Sequence, residues 1–192
     1  MKSIVAIFLI SLLFIHGDSV AQQNRIFYSN EEAKTVPVDS VCKLSLTKMK
    51  YEEVPQELIQ FQNLRELDLS QNKLTSLPDN FIFPHLQILK IEKNNLDTFP
   101  AAICQNTQLR ELYMGRNEVE YISECIGNLQ ELVKFDIWFN PIADLPQAFT
   151  TMKKLRYLDL RGITYNKEFQ KKWSTLLPWV KIEFDVACDC AN

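Results

Sequence analysis

The chain has 192 residues, 46% of them hydrophobic, and a net charge of −3. That suits one domain with a substantial core, and it leaves no basic excess to offset the phosphates of a nucleic acid. Its 4 glycines form neither G-x-G-x-x-G nor G-x-x-x-x-G-K, which excludes the Gly-rich phosphate loops of nucleotide-binding folds. First in chain order stand residues 1–21: Lys2, an apolar run over 4–15, then Ser19, Val20 and Ala21 before Gln22. This is the layout of a secretory signal peptide, and the run is short of the ~20 apolar residues that cross a bilayer. The mature chain, 22–192, is expected to be exported, periplasmic or extracellular, with no membrane span after cleavage.

Residues 22–40 read as an N-terminal cap. Ser29, Asn30, Glu31 and Glu32 fit a capping box, and the short helix it starts must end before Pro37.

From Val41 onward one pattern recurs. Copies start at Val41, Leu64, Leu86, Leu109, Leu132 and Leu155, at offsets of 23, 22, 23, 23 and 23 residues. The template, L-x-x-L-x-L-x-x-N-x-L, fits neither a helix nor an isolated strand: alternation lasts three residues and then yields to a polar bend. Second halves follow, with Val54-Pro55, Leu77-Pro78, Phe99-Pro100 and Leu145-Pro146 each preceding an apolar residue (Leu58, Phe81, Ile103, Phe149). The fourth copy departs, with Ile122-Ser123 and then Ile126. One such unit cannot bury its own apolar side, so the leucines must stack against neighbouring copies. The column Asn72, Asn94, Asn117 and Asn140 is expected to point inward and bond backbone groups left free at the bend, where an unsatisfied buried group would cost about 1–3 kcal/mol.

Over residues 41–165 the template resembles the leucine-rich repeat family. Its L-P-x-x-hydrophobic halves resemble the subclass found in Ras-pathway scaffold proteins and small exported bacterial proteins. The resemblance implies an α/β repeat solenoid: a right-handed coil with a concave parallel β-sheet, a short helical cap at the N-terminus and a helix-plus-strand cap at the C-terminus. It also implies protein binding, without naming the partner.

Residues 166–192 supply the C-terminal cap and a Cys-containing tail. Phe169, Trp173, Leu176 and Leu177 fall at helical spacing before Pro178, and residues 179–184 repeat the strand spacing once more.

Little in the sequence points to catalysis. His85 is the one histidine of the mature chain and sits between Pro84 and Leu86 in a connection, with no nucleophile pattern nearby. Cys188, Asp189 and Cys190 lack the gaps and the second ligand pair of a zinc site, so neither metal nor cofactor is expected. Cys104 and Cys125 lie in adjacent copies and a disulfide between them is open, as is the fate of Cys42.

The informative residues stand between the leucines, on the concave face. Toward the C-terminus these are Tyr113, Arg116, Asp136, Trp138, Phe139, Tyr157, Asp159 and Arg161. Aromatics beside arginine match the composition of protein-binding hot spots. The competing expectation is that Trp138 and Phe139 fold over a neighbouring copy or under the cap. The expected function is an exported, non-enzymatic module that binds a protein partner through this face. The alternatives are glycan binding, with sugars stacked on the aromatics, and a structural role in the cell envelope.

Overall fold

A computed structural model describes residues 28–187. The signal-peptide reading of 1–21 and the tail cysteines Cys188 and Cys190 fall outside the described residues.

Eight strands form one parallel sheet in sequence order: β1 (Tyr28–Ser29), β2 (Lys43–Ser45), β3 (Glu66–Asp68), β4 (Ile88–Lys90), β5 (Glu111–Tyr113), β6 (Lys134–Asp136), β7 (Tyr157–Asp159) and β8 (Lys181–Glu183). The middle residue of each central strand points into the core. Leu44, Leu67, Leu89, Leu112, Phe135 and Leu158 stand in register on β2 to β7 and are all buried. β1 is an addition to the repeat pattern: Tyr28 and Ser29 pair with Leu44 and Ser45 and extend the sheet by one strand.

Strands stop after three residues because the backbone bends at a fixed place. Lys48, Gln71, Lys93, Arg116 and Phe139 all have φ between 53° and 59°, and Gly162 continues the column at 94°. A non-glycine residue in this region carries roughly 1–2 kcal/mol of strain. Its amide is nonetheless used, since Gln71, Lys93, Arg116 and Phe139 donate to the carbonyls of Glu92, Gly115, Trp138 and Arg161 on the next turn. Behind the four inner bends lies an asparagine, while Met49 and Ile163 take its place in the first and last copies. Asn94 Nδ2 donates to the Leu69 and Ile91 carbonyls, both at 3.1 Å, while its Oδ1 accepts from the Leu74 amide at 3.0 Å. Asn72, Asn117 and Asn140 repeat this with Leu46 and Leu69, Ile91 and Met114, and Met114 and Ile137. Each of them ties two turns together from a buried site.

The convex side is built from single 3-10 turns: Gln56–Gln60, Ala101–Gln105, Glu124–Asn128 and Gln147–Thr151. Pro55, Pro100 and Pro146 precede three of them. In the fourth Ser123 replaces proline and caps the turn, its hydroxyl accepting from the Cys125 amide. The 22-residue copy has no such turn. The backbone groups it leaves over are taken by Asn106 from the next copy, which accepts from the Phe83 amide at 2.8 Å and donates to the Phe81 carbonyl at 3.0 Å. Cys104 and Cys125 form a disulfide between adjacent convex turns, Cα to Cα 5.8 Å, with a sequence separation of 21. A loop of that size contributes about 3 kcal/mol in the chain-entropy account.

At the N-terminal end, helix α1 (Asn30–Ala33) carries the reciprocal Ser29–Glu32 capping box. At the other end, helix α2 (Lys167–Leu176) buries Trp173, whose Nε1 donates to Asp144 at 2.8 Å. Leu177, just past the helix, takes the inward place, and Leu176 at the same helical spacing faces out, 36% exposed. Among the described residues no helix is long and apolar enough to cross a membrane.

Candidate functional site on the concave face

Residues flanking the inward-pointing leucines project from the sheet, so the face is a grid with one column for each template position. Its two ends differ in chemistry. On β2–β4, Glu66 is buried between two lysines, 3.2 Å from Lys43 and 2.8 Å from Lys90. Burial alone would raise its pKa, but the lysine hydrogen bonds outweigh that and hold it below the usual carboxylate range.

On β5–β7 aromatics dominate. Trp138 and Phe139 meet edge to face, ring centroids 5.5 Å apart. Phe139 is 55% exposed and Trp138 half-buried. Two glycines make room for them. A Cβ at Gly115 would collide with the Trp138 indole, and one at Gly162 would run into the Phe139 ring and backbone. Arg116 lies over both rings, 4.7 Å from the Trp138 centroid and 5.7 Å from that of Phe139, a cation–π arrangement worth about 0.5–1 kcal/mol at an exposed site. Trp138 therefore folds partly over the neighbouring copy, while Phe139 stays open to solvent and not under the cap.

Tyr113 and Tyr157 are joined through Lys134, whose Nζ sits 4.6 Å and 5.2 Å from their ring centroids. The Tyr113 hydroxyl donates to Glu111, and burial followed by that bond raises its pKa. Asp159 is only 1% exposed and does not present itself to a ligand. It holds Arg161 bidentately, Nε at 2.9 Å and Nη2 at 2.6 Å, and accepts from the Tyr157 hydroxyl. Asp136, its neighbour in register on β6, has a pKa raised to about 6 by burial and by the charge of Asp159.

Trp138, Phe139, Arg161, Gly162 and Asp185 line an open cleft of about 330 Å³. A larger cavity of about 480 Å³ lies on the convex side, over Pro55, Ile59, Pro78 and Phe81, where the 22-residue copy lacks its 3-10 turn. Glu53, Gln56, Thr75, Ser76 and Asn80 share its lining with these apolar residues, but it lacks the grouped exposed aromatics and arginines of the concave cleft, which is the better candidate for a protein interface. Sequence reasoning placed the eight candidates on one face but missed what seats them: Gly115, Gly162, Lys134 and Asp185. The glycines carried the available signal, since two of only 4 in the chain fall on this face. His85 is an exposed loop residue. Among the described residues no group of three or more His, Cys, Asp or Glu could hold a metal ion.

The fold and face define a parallel-sheet solenoid that displays side chains across an open concave surface. Residues 62–119 match the leucine rich repeat family model. The adenylate cyclase of Schizosaccharomyces pombe is 35% identical over 100 residues, 51% of this chain and 6% of that protein. The human volume-regulated anion channel subunit LRRC8A is 35% identical over 107 residues, 51% of this chain and 13% of that protein. The chain thus spans a small fraction of the length of these relatives. A leucine-rich repeat protein of Leptospira interrogans superposes with a TM-score of 0.66 at 24% identity, over 86% of this chain and 38% of the other. An internalin of Listeria monocytogenes gives 0.60 at 19% identity, over 80% and 49%. At these identities the structures speak for the fold. Residues 62–119 are thus similar to leucine-rich repeats in sequence, and the described residues share the leucine-rich repeat fold.

Proposed function

We propose that this is an exported binding module, without catalysis of its own, that holds a protein partner on its concave face across β5–β7. The observation that carries the reading is the Trp138–Phe139 pair, seated on two glycines, with Phe139 exposed at the rim of the 330 Å³ cleft. Exposed aromatics grouped with arginine are the usual anchors of protein interfaces, and leucine-rich repeats generally serve as such interaction surfaces. Export rests on the signal-peptide layout of residues 1–21. The match to adenylate cyclase spans 6% of that protein and gives no ground for transferring its activity. Arg116 already covers the Trp138 ring, which favours a protein partner over a sugar stacked on the indole.

The test uses the exported chain as bait in envelope and culture-medium extracts of the source cells, beside a Trp138→Ala, Phe139→Ala variant. A protein held by the parent and lost by the folded variant is the expected result. Retention of the same proteins by both baits would contradict it, and release of the bound material by soluble polysaccharide would move the assignment to glycan.

A further inference from the structure

On the C-terminal half of the face the anionic groups are matched one by one. Asp159 is paired with Arg161 and Glu183 with Lys181 at 2.6 Å. Glu111 accepts from the Tyr113 hydroxyl, and Asp185 from the Gly162 amide. Asp136 stands apart. It forms no ion pair among the described residues, and its one hydrogen bond is a long one, from the Trp138 amide at 3.5 Å. Lys134 acts on it only weakly and sits over the two tyrosine rings, while Arg116 lies over Trp138 and Phe139 and Arg161 is paired with Asp159.

Asp136 ends β6 and Trp138 follows two residues on, just before the bend at Phe139, so their side chains leave the face about 7 Å apart. An extended partner segment spaces its own alternate side chains by the same amount. A carboxylate or phosphate brought to this place would meet Asp136, Asp159 and Glu92 together, whereas a cation would pair the one carboxylate left over.

Resting on the protein-binding reading above, we infer that the partner sets a lysine or arginine side chain on the Asp136 carboxylate and lays an apolar side chain, two residues away in an extended segment, into the Trp138–Phe139 cleft. The charged and titratable groups around Asp136 are Glu92 beyond β4, Glu111 and Tyr113 on β5, Arg116 after it, Lys134 on β6, and Tyr157, Asp159 and Arg161 on and after β7. With its pKa near 6, Asp136 is charged above that pH and neutral below it, so the contact should weaken as the pH falls through this value.

A random-peptide library displayed on phage, panned against the immobilised full chain, provides the probe. Asp136→Asn and Trp138→Ala, Phe139→Ala serve as comparison targets, and circular dichroism checks that both fold. Asp136→Asn is isosteric and keeps the backbone bond. Enrichment of peptides with a basic residue two positions from an apolar one is expected. Asp136→Asn should bind these at least about tenfold more weakly at neutral pH, and the parent should approach the variant as the pH drops below about 6. Peptides lost by the aromatic variant yet indifferent to Asp136→Asn would overturn the cation contact and leave the binding face standing. Peptides indifferent to both variants, or no enrichment, would overturn the face as well.

Discussion

Strands β2–β4 and β5–β7 share one backbone: three-residue strands, a bend with φ near 57° where the residue is not glycine, and, behind all but the first and last bends, an asparagine. They differ in how their surface charges are used. Glu66 has two lysines within 3.2 Å, closing a Lys–Glu–Lys row across three strands. Asp136, which ends β6 two template positions further along than Glu66 in its copy, forms no ion pair among the described residues and stands beside Tyr113 and the Trp138–Phe139 pair. A repeat frame stabilised from behind by leucine and asparagine leaves its front side chains free to vary. One half uses them to tie neighbouring turns together, and the other leaves them open.

The shared frame gives the largest expected effect. Asn72→Ala and Asn140→Ala each strip a buried site of two donated bonds and one accepted bond. Each should cost about 3 kcal/mol in urea unfolding, and a large difference between them would mean that the halves do not share one frame. Next comes the Trp138→Ala, Phe139→Ala variant, expected to lose about 100-fold in partner affinity while moving the urea midpoint less than either asparagine variant.

The two carboxylates then separate the halves by sign. Glu66 has a lowered folded pKa, so its pairing stabilises the protein above the ordinary carboxyl value of 4.5 and is lost as pH falls through the folded value. Glu66→Gln should therefore cost about 1–2 kcal/mol at pH 7, the lysines being partly exposed, and match the parent in acid. Asp136 has a raised pKa, so its charge is a burden above about pH 6 that disappears below 3.8. Asp136→Asn should gain about 1 kcal/mol at neutral pH after allowance for solvent screening, with the gain shrinking between pH 6 and 4. Thermal melts across this range check both, and equal signs would erase the contrast between the halves.

Much of the frame was legible because each leucine has the same job in every copy, so spacing alone fixed the strands, their register and the asparagine column. β1 was not, since two residues carry no alternation to read. Asn106 was hidden because its place in the other convex turns is filled by Phe61, Leu129 and Met152; only the 22-residue offset hinted that backbone groups there would need a partner. The left-handed bend fell on Lys, Gln, Arg and Phe, residue types that give no warning of it, with Gly162 the one visible sign. At the candidate site, composition marked the half of the face that carries the Trp138–Phe139 pair. It could not tell that Asp159 would be buried holding Arg161 while Asp136 remained unpaired, because both sit at the same template position and only their neighbours differ.

The most direct test of the division between the halves measures the affinity of a captured partner for the parent, for Glu66→Gln and for Trp138→Ala, Phe139→Ala, side by side at pH 7. The account predicts parent-like affinity for Glu66→Gln despite its lower stability, and about a 100-fold loss for the aromatic variant. Equal losses in both, or full affinity in the aromatic variant, would contradict it.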